Sequence, residues 1–316
     1  MKKLNVMSLF DGISGGQQAL KMCGFEVENY YASEIENSSI NITKKNFTNT
    51  LHIGDIRNIN TKNFNNIDIV IGGSPCQSFS FAGKRNGMST KDKIEINSLE
   101  QYLKLKNEKF EFDGYSYLFW EYVRILKDIN PKYFLLENVK MSKKWQDVIT
   151  NVLGVEPVKI SSGLTSAQNR VRLYWTNIPI IGMPKDKKMF IDDILQKNIE
   201  HKFLGKHRQE YTNYNESKVD KSVFKNTAIQ LGSSRQFTCS IGNNGKAFCV
   251  RKTECNGILD ENFNIRKFTP IEVERLFNLP DDYTKCDGVS NTKRYEALGN
   301  GWEMGVICWI FSHIDI

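Results

Sequence analysis

The chain has 316 residues, 40% hydrophobic and 25% charged, ordinary proportions for a globular protein. Its 43 Lys and Arg against 36 Asp and Glu leave a formal charge of +7, a basic excess that suits a polyanionic partner. No run approaches the ~18 apolar residues of a membrane span, the opening lacks the apolar stretch of a leader, and seven cysteines without C-x-x-C spacing fit a reducing cytoplasm; with Cys249 and Cys255 too far apart for a zinc knuckle and four histidines without ligand spacing, no structural metal is expected.

A first strand is expected at Leu4–Phe10, followed by the glycine-rich turn Asp11-Gly12-Ile13-Ser14-Gly15-Gly16. A helix then starts at Gln17–Met22, and Gly24 ends it. The second strand, Val27–Ala32, leads into Ser33-Glu34. Glu34 stands about twenty residues past the glycine turn, where Rossmann-like folds place an acid that accepts from ribose hydroxyls. A third unit ends in Ile53-Gly54-Asp55-Ile56, another acid just after a strand. The glycines do not spell G-x-G-x-x-G, and Asp11 inside the turn would repel a pyrophosphate while favouring a cationic or amine-bearing ligand. The alternative is structural: the glycines only shape a turn, and Glu34 is a solvated acid.

The run Ile67, Ile69, Val70, Ile71 reads as a buried strand that stops at Gly72-Gly73. Cys76 follows a proline on the loop beyond, at the carboxyl end of a strand, where open α/β sheets place their ligands. A small buried hydrophobe is the commoner use of a cysteine. The loop 76–90 is rich in glycine, serine and lysine, with Lys84 and Arg85 near its tip. Helices are expected around Ser98–Lys106 and over Tyr115–Ile129. Glu137 ends the next apolar strand, Tyr133–Leu136, and Arg170 and Arg172 alternate along Asn169–Trp175, so both face one side of a strand. Thr269 before Pro270 caps a helix within Arg266–Pro280, and Glu303–Phe311 is amphipathic.

Seven segments, LFDGISGG, ASEIE, GDIR, GGSPCQSFSFAG, FLLENVK, SAQNRVRLYW and LGNGW, occur in the order found in the cytosine-C5 DNA methyltransferase family, and the chain resembles that family from near its first residue to near its last. The wording around Glu34, Asp55 and Arg172 is similar to the animal de novo enzymes, and the run around Cys76 to prokaryotic or phage versions. The resemblance implies Cys76 as the nucleophile that adds to cytosine C6, since C5 alone is too poor a nucleophile to take a methyl group. It implies Glu137 as the proton donor to N3, Arg172 facing the base O2, and Arg170 holding the catalytic loop or base pocket. Either arginine could instead contact phosphate. The implied cofactor is S-adenosylmethionine, with Phe10, Asp11, Gly12 and Ile13 around its methionine and ribose part and Glu34 on the ribose hydroxyls. Asp55 would take the adenine amine between Ile35 and Ile56, Leu118 would close the pocket, and Asn300 and Trp302 would return to it. Residues 91–114 are an addition relative to shorter family members.

The expected fold is α/β: a doubly wound, mostly parallel Rossmann-like sheet with a second, smaller recognition domain. Residues 1–177 plus 265–316 would form the catalytic domain and 178–264 the target-recognition domain, with Arg208, Arg235, Gln236, Asn243, Asn244, Lys246 and Arg251 as residue types able to read a groove. The expected function is methylation of C5 of a flipped-out cytosine in double-stranded DNA. The runner-up is the same chemistry on tRNA, which one branch of the family performs. A catalytically idle DNA-binding relative is disfavoured by Cys76, Glu137 and Arg172 occurring together, and a nicotinamide oxidoreductase by the missing glycine fingerprint. The resemblance further implies a monomer in the cytoplasm of a bacterial or phage-infected cell, with no membrane partner, and leaves open a cognate restriction endonuclease.

Overall fold

Short apolar runs alternating with helices build a single seven-stranded sheet within residues 4–176 of the chain. A computed structural model describes residues 3–79, 87–197, 199, 226–230, 240–241, 244–252, 256–259 and 265–315. It divides into two compact units, Met1–Ile160 with Val171–Ile181 and Ile310–Ile316, and Ser161–Arg170 with Gly182–Trp309.

The first unit runs β1 (Leu4–Leu9), α1 (Gly15–Met22), β2 (Val27–Ser33), α2 (Asn37–Asn46), β3 (Leu51–His52), β4 (Ile69–Gly73), α3 (Leu99–Asn107), α4 (Phe119–Ile129), β5 (Tyr133–Val139), α5 (Lys143–Leu153), β6 (Val158–Ser161) and β7 (Val171–Thr176). The seven strands are ordered β3-β2-β1-β4-β5-β7-β6. Strand β1 pairs in parallel with β2 and β4, and β4 with β5, while β7 runs antiparallel to β5. Ile69, Val70 and Ile71 are all fully buried, as expected of a central parallel strand covered on both faces. The largest side chains of the core come from α4, where Phe119, Trp120 and Tyr122 are inaccessible to solvent. Helix α1 lies so close to the sheet that a Cβ at Gly16 would stand 2.3 Å from Ile71 Cδ1, so glycine there is a packing requirement.

Several expected elements shift. Glu137 lies inside β5 rather than at its end, because the ladder with β7 continues as far as Val139–Arg172. Arg170 precedes β7 and belongs to the second unit. The start of the expected 115–129 helix is a tighter 3-10 turn, Ser116–Leu118, a common way for a helix to begin. The expected helix around 98–106 is α3, capped by Ser98 Oγ accepting from Gln101 N at 3.1 Å.

The second unit contains an antiparallel sheet of β8 (Thr227–Gln230), β9 (Ser240–Ile241), β10 (Asn256–Leu259) and β11 (Ile265–Lys267), in the order β11-β10-β8-β9. Helices α6 (Pro270–Leu276) and α7 (Asn291–Asn300) follow, and α8 (Met304–Phe311) begins in this unit. Thr269 caps α6 as expected: Glu272 N donates to Thr269 Oγ1 at 3.2 Å and Thr269 N to Glu272 Oε2 at 2.8 Å. Compactness does not divide the chain at 177 and 265. Residues 161–170 and 265–309 go with the intervening segment, because Gln168 and Arg170 are tied to Val250, Leu276, Gly299 and Gly301. Among the described residues no helix is long and apolar enough to cross a membrane.

Candidate active site

The strand order reverses at β1, whose neighbours are β2 on one side and β4 on the other. Open α/β sheets bind ligands outside the carboxyl ends of the strands at such a switch point. Register fixes what meets there: Leu9 lies beside Ser33 and Gly72, and Gly73 beside Glu137. The segments leaving β1, β2 and β4 therefore carry the glycine turn, Glu34 and Cys76 to the edge where Glu137 stands in β5.

Beyond β4 the chain makes a turn in which Phe79 N donates to Cys76 O at 2.9 Å. Cys76 is half-buried. Buried Asn138 anchors the entry to this turn, its Nδ2 donating to Ser74 O at 3.3 Å and to Ser74 Oγ at 3.0 Å. From the other side Ser78 N donates to Ser116 Oγ at 3.2 Å. The Glu137 strand and the Cys76 turn are thus joined by a side chain next to Glu137 itself. In the β5–β7 ladder Glu137 pairs with Tyr174 and Val139 with Arg172, so Arg172 and Glu137 are diagonal neighbours on one face. Arg172 Nε meets Glu137 Oε1 at 2.9 Å, with both side chains largely shielded.

At the glycine turn Phe10, Gly12 and Ser14 all have left-handed backbone, with φ of 59°, 60° and 57°, which packs the turn tightly above β1. Asp11 is held there by Ser14 Oγ at 2.5 Å and Tyr30 OH at 2.8 Å. Burial pushes the Asp11 carboxyl up from the ordinary 3.8 to about 6, against the opposing hydrogen bonds from Ser14, Ser8 and Tyr30. Glu34 is not a loosely solvated acid. Its Oε2 accepts from Gly12 N at 2.8 Å, and its Oε1 from Ile35 N at 2.7 Å and Glu36 N at 2.8 Å. A carboxylate has roughly four lone-pair sites, so capacity for a hydroxyl remains on an oriented group.

Asp55 caps the 3-10 turn Ile56–Asn58 by accepting from Arg57 N at 2.9 Å. The Arg57 guanidinium covers both its oxygens, and these bonds hold the Asp55 carboxyl below the usual range. Ile35 is 66% exposed, whereas Ile56 is 4% exposed and sits in the core. Leu118 and Ile13 are nearly buried, and Phe10 packs against the core edge. Phe10, Asp11, Gly12, Ile13, Glu34, Ile35, Asp55, Ile56, Leu118, Cys76, Glu137 and Arg172 all belong to the first unit.

Arg170, Asn300 and Trp302 belong to the second. Arg170 is 5% exposed and donates to Val250 O at 2.9 Å, Gly299 O at 3.1 Å and Gly301 O at 2.9 Å, with its guanidinium over Phe277. It fixes the glycine turn around Asn300 rather than facing solvent or a phosphate. Asn300 is exposed at the end of α7 and Trp302 is half-buried. Of the groove-reading candidates, Lys246 is committed inward, its Nζ donating to Gly163 O at 2.6 Å, Ser166 O at 3.1 Å and Met189 O at 2.8 Å. Arg251 is exposed, and Asn244 Oδ1 accepts from Lys246 N at 3.2 Å. Lys84, Arg85, Arg208, Arg235, Gln236 and Asn243 lie outside the described residues. Among the described residues no group of His, Cys, Asp or Glu is arranged to hold a metal.

The strand order with its switch point at β1 and the antiparallel β7 are those of a Rossmann-like methyltransferase fold. Residues 4–153 match the family described as C-5 cytosine-specific DNA methylase. The chain thus carries a C-5 cytosine-specific DNA methylase match over its first half. It is 28% identical over 327 aligned positions to the Type II methyltransferase M1.ScrFI of Lactococcus lactis subsp. cremoris, covering 94% of this chain and 74% of that protein. Against the orphan methyltransferase M.Rho11sI of Bacillus phage rho11s it is 38% identical over 142 residues, 44% of this chain and only 24% of that protein. Entamoeba histolytica methyltransferase EhMeth shares the fold, with a TM-score of 0.67, 17% identity and 99% of each chain covered. A Spodoptera frugiperda DNMT2 variant does likewise, with a TM-score of 0.66, 18% identity, and 98% of this chain and 99% of that one covered.

Proposed function

We propose that this protein transfers a methyl group from S-adenosylmethionine to C5 of a cytosine flipped out of double-stranded DNA. The observation that carries the reading is the Glu137–Arg172 pair on the strand beside the Cys76 turn. The Cys76 thiolate adds to C6 and makes the ring an enamine with electron density at C5; after methylation, loss of the C5 proton expels the thiolate from C6 and restores the ring. Glu137 delivers a proton to N3 as charge develops there, and Arg172 stabilises charge at O2. S-adenosylmethionine supplies an electrophilic methyl group on a cationic sulfur. The acids Asp11 and Glu34, one in a desolvated turn and the other oriented by three backbone N–H groups, suit the cationic and ribose parts of that ligand. Segment 178–264 is proposed to read the target sequence.

Methyl transfer from labelled S-adenosylmethionine to unmethylated duplex DNA and to tRNA, offered separately, tests the reading. 5-Methyl-deoxycytidine recovered from the duplex is the expected product. Label in tRNA alone would move the substrate, and label in neither would overturn the catalytic assignment.

The Asp11 environment gives the cofactor site a pH signature. Its carboxyl is raised to about 6 in the folded chain against 3.8 when unfolded, so the folded state holds the proton more tightly. The resulting stabilisation is fully present below the unfolded value and is lost as pH rises through about 6. A cation bound beside Asp11 needs the ionised form. Affinity for S-adenosylhomocysteine, which carries the same ammonium group, should fall about tenfold per pH unit below 6 for one linked proton. Calorimetry in buffers of different ionisation enthalpy should show proton release on binding near pH 5.5–6. Asp11→Asn should flatten the profile; a variant that keeps the slope would remove Asp11 from the linkage.

A further inference from the structure

The addition at 91–114 is built into the first unit. Its base is closed by bridges between Ser89 and Glu95 and between Thr90 and Phe112, and by Lys91–Glu111 and Lys93–Asp113 ion pairs at 2.6 and 2.8 Å. Helix α3 inserts Tyr102 and Leu105, 1% and 6% exposed, into the main core. Two chains of contact lead from it to the Asp55 turn. One is aromatic: Tyr102 packs on Phe112, Phe112 stacks on Tyr117 with centroids 4.4 Å apart, and the Tyr117 hydroxyl meets the Arg57 guanidinium. The other is polar. Tyr102 OH donates to Glu121 Oε1 at 2.5 Å, and the Lys106 ammonium binds the same oxygen. Arg124 Nε donates to Glu121 Oε2 at 2.8 Å, and Arg124 NH2 to Ile56 O at 3.4 Å. Glu121 is completely buried, and a buried carboxylate is tolerable only while its donors stay in place. The first chain ends on Arg57, which binds Asp55, and the second on Ile56 O, so both reach the turn Asp55–Arg57.

We propose that the 91–114 addition is a brace that sets cofactor affinity by holding the Asp55–Arg57 turn in the geometry that receives adenine. Tyr102 and Lys106 are its positioning residues and act through Glu121 and Arg124. Arg57 positions Asp55 directly, leaving the carboxylate ionised and aimed. The proposal rests on the reading of Asp55 and Ile56 as the adenine site. A brace differs from a merely stabilising insertion in where its loss is felt, since it lowers affinity in a chain that remains folded.

The test is calorimetric binding of S-adenosylhomocysteine to the full chain and to Tyr102→Phe, Lys106→Met, Lys106→Arg and Asp55→Ala, each assayed well below its melting midpoint. Tyr102→Phe and Lys106→Met should weaken binding by roughly five- to tenfold, and Lys106→Arg should restore it. In turnover the loss should fall on KM for S-adenosylmethionine more than on kcat. Binding unchanged in Tyr102→Phe and Lys106→Met while Asp55→Ala loses affinity overturns the brace alone. No binding to the unaltered chain, or full binding to Asp55→Ala, overturns the adenine-site reading and the brace with it.

Discussion

Cys76→Ala abolishes methyl transfer, by roughly 10⁴-fold or more, and leaves S-adenosylmethionine bound within about twofold. The two halves of this expectation follow from different strands. Without a thiolate to add to C6, C5 keeps its aromatic electron distribution and does not attack the methyl group. The proposed acidic cofactor contacts, by contrast, follow β1, β2 and β3, and the bonds that hold them are Asp11 to Ser14 and Tyr30, Glu34 to Gly12, and Asp55 to Arg57. None passes through the turn after β4. Cys76→Ser is a sharper variant of the experiment because it keeps size and polarity while offering a much poorer nucleophile. Duplex methylation and calorimetric cofactor binding on the same preparations decide the matter. Retained turnover in either variant removes Cys76 from the mechanism, and loss of both turnover and binding makes it a structural residue of the turn.

How far these features were legible in the sequence depended on how local their causes are. The βαβ repeats could be read because strands such as β4 are short apolar runs and α3 begins at a capping residue, Ser98. The acids at 34 and 55 could be read from their places after strands. Arg170 could not, since two of its partners, Gly299 and Gly301, are 129 and 131 residues away, and its expected shared face with Arg172 ignored where β7 begins. Helix α7 was also hidden. Its buried face includes Arg294, which donates to Thr284 Oγ1 and to Glu274 Oε1, both at 2.8 Å, so a charged residue occupies a position where a periodicity reading looks for an apolar one. Asn138 carries a local signal, a polar residue one step past an acid in a buried strand. Arg57 was within reach too, an arginine two residues after an acid that caps a turn.

Glu137→Gln keeps the shape of the side chain and its capacity to meet Arg172 but removes the transferable proton. The expected loss in kcat is about 10²–10⁴-fold, the usual range for a positioned general acid. Arg172→Met removes both the charge beside O2 and the 2.9 Å partner of Glu137, so its expected loss is of the same order, roughly 10²–10³-fold. The diagnostic is the double variant. Two groups that act on one developing charge, and that orient each other across the β5–β7 ladder, do not contribute independently. Single-turnover methylation of the double variant should therefore be within about tenfold of the slower single variant, not slower by the product of the two effects. Multiplicative losses would mean that Glu137 and Arg172 serve separate steps, and would undo the assignment of both to the charge that appears on N3 and O2 when Cys76 adds.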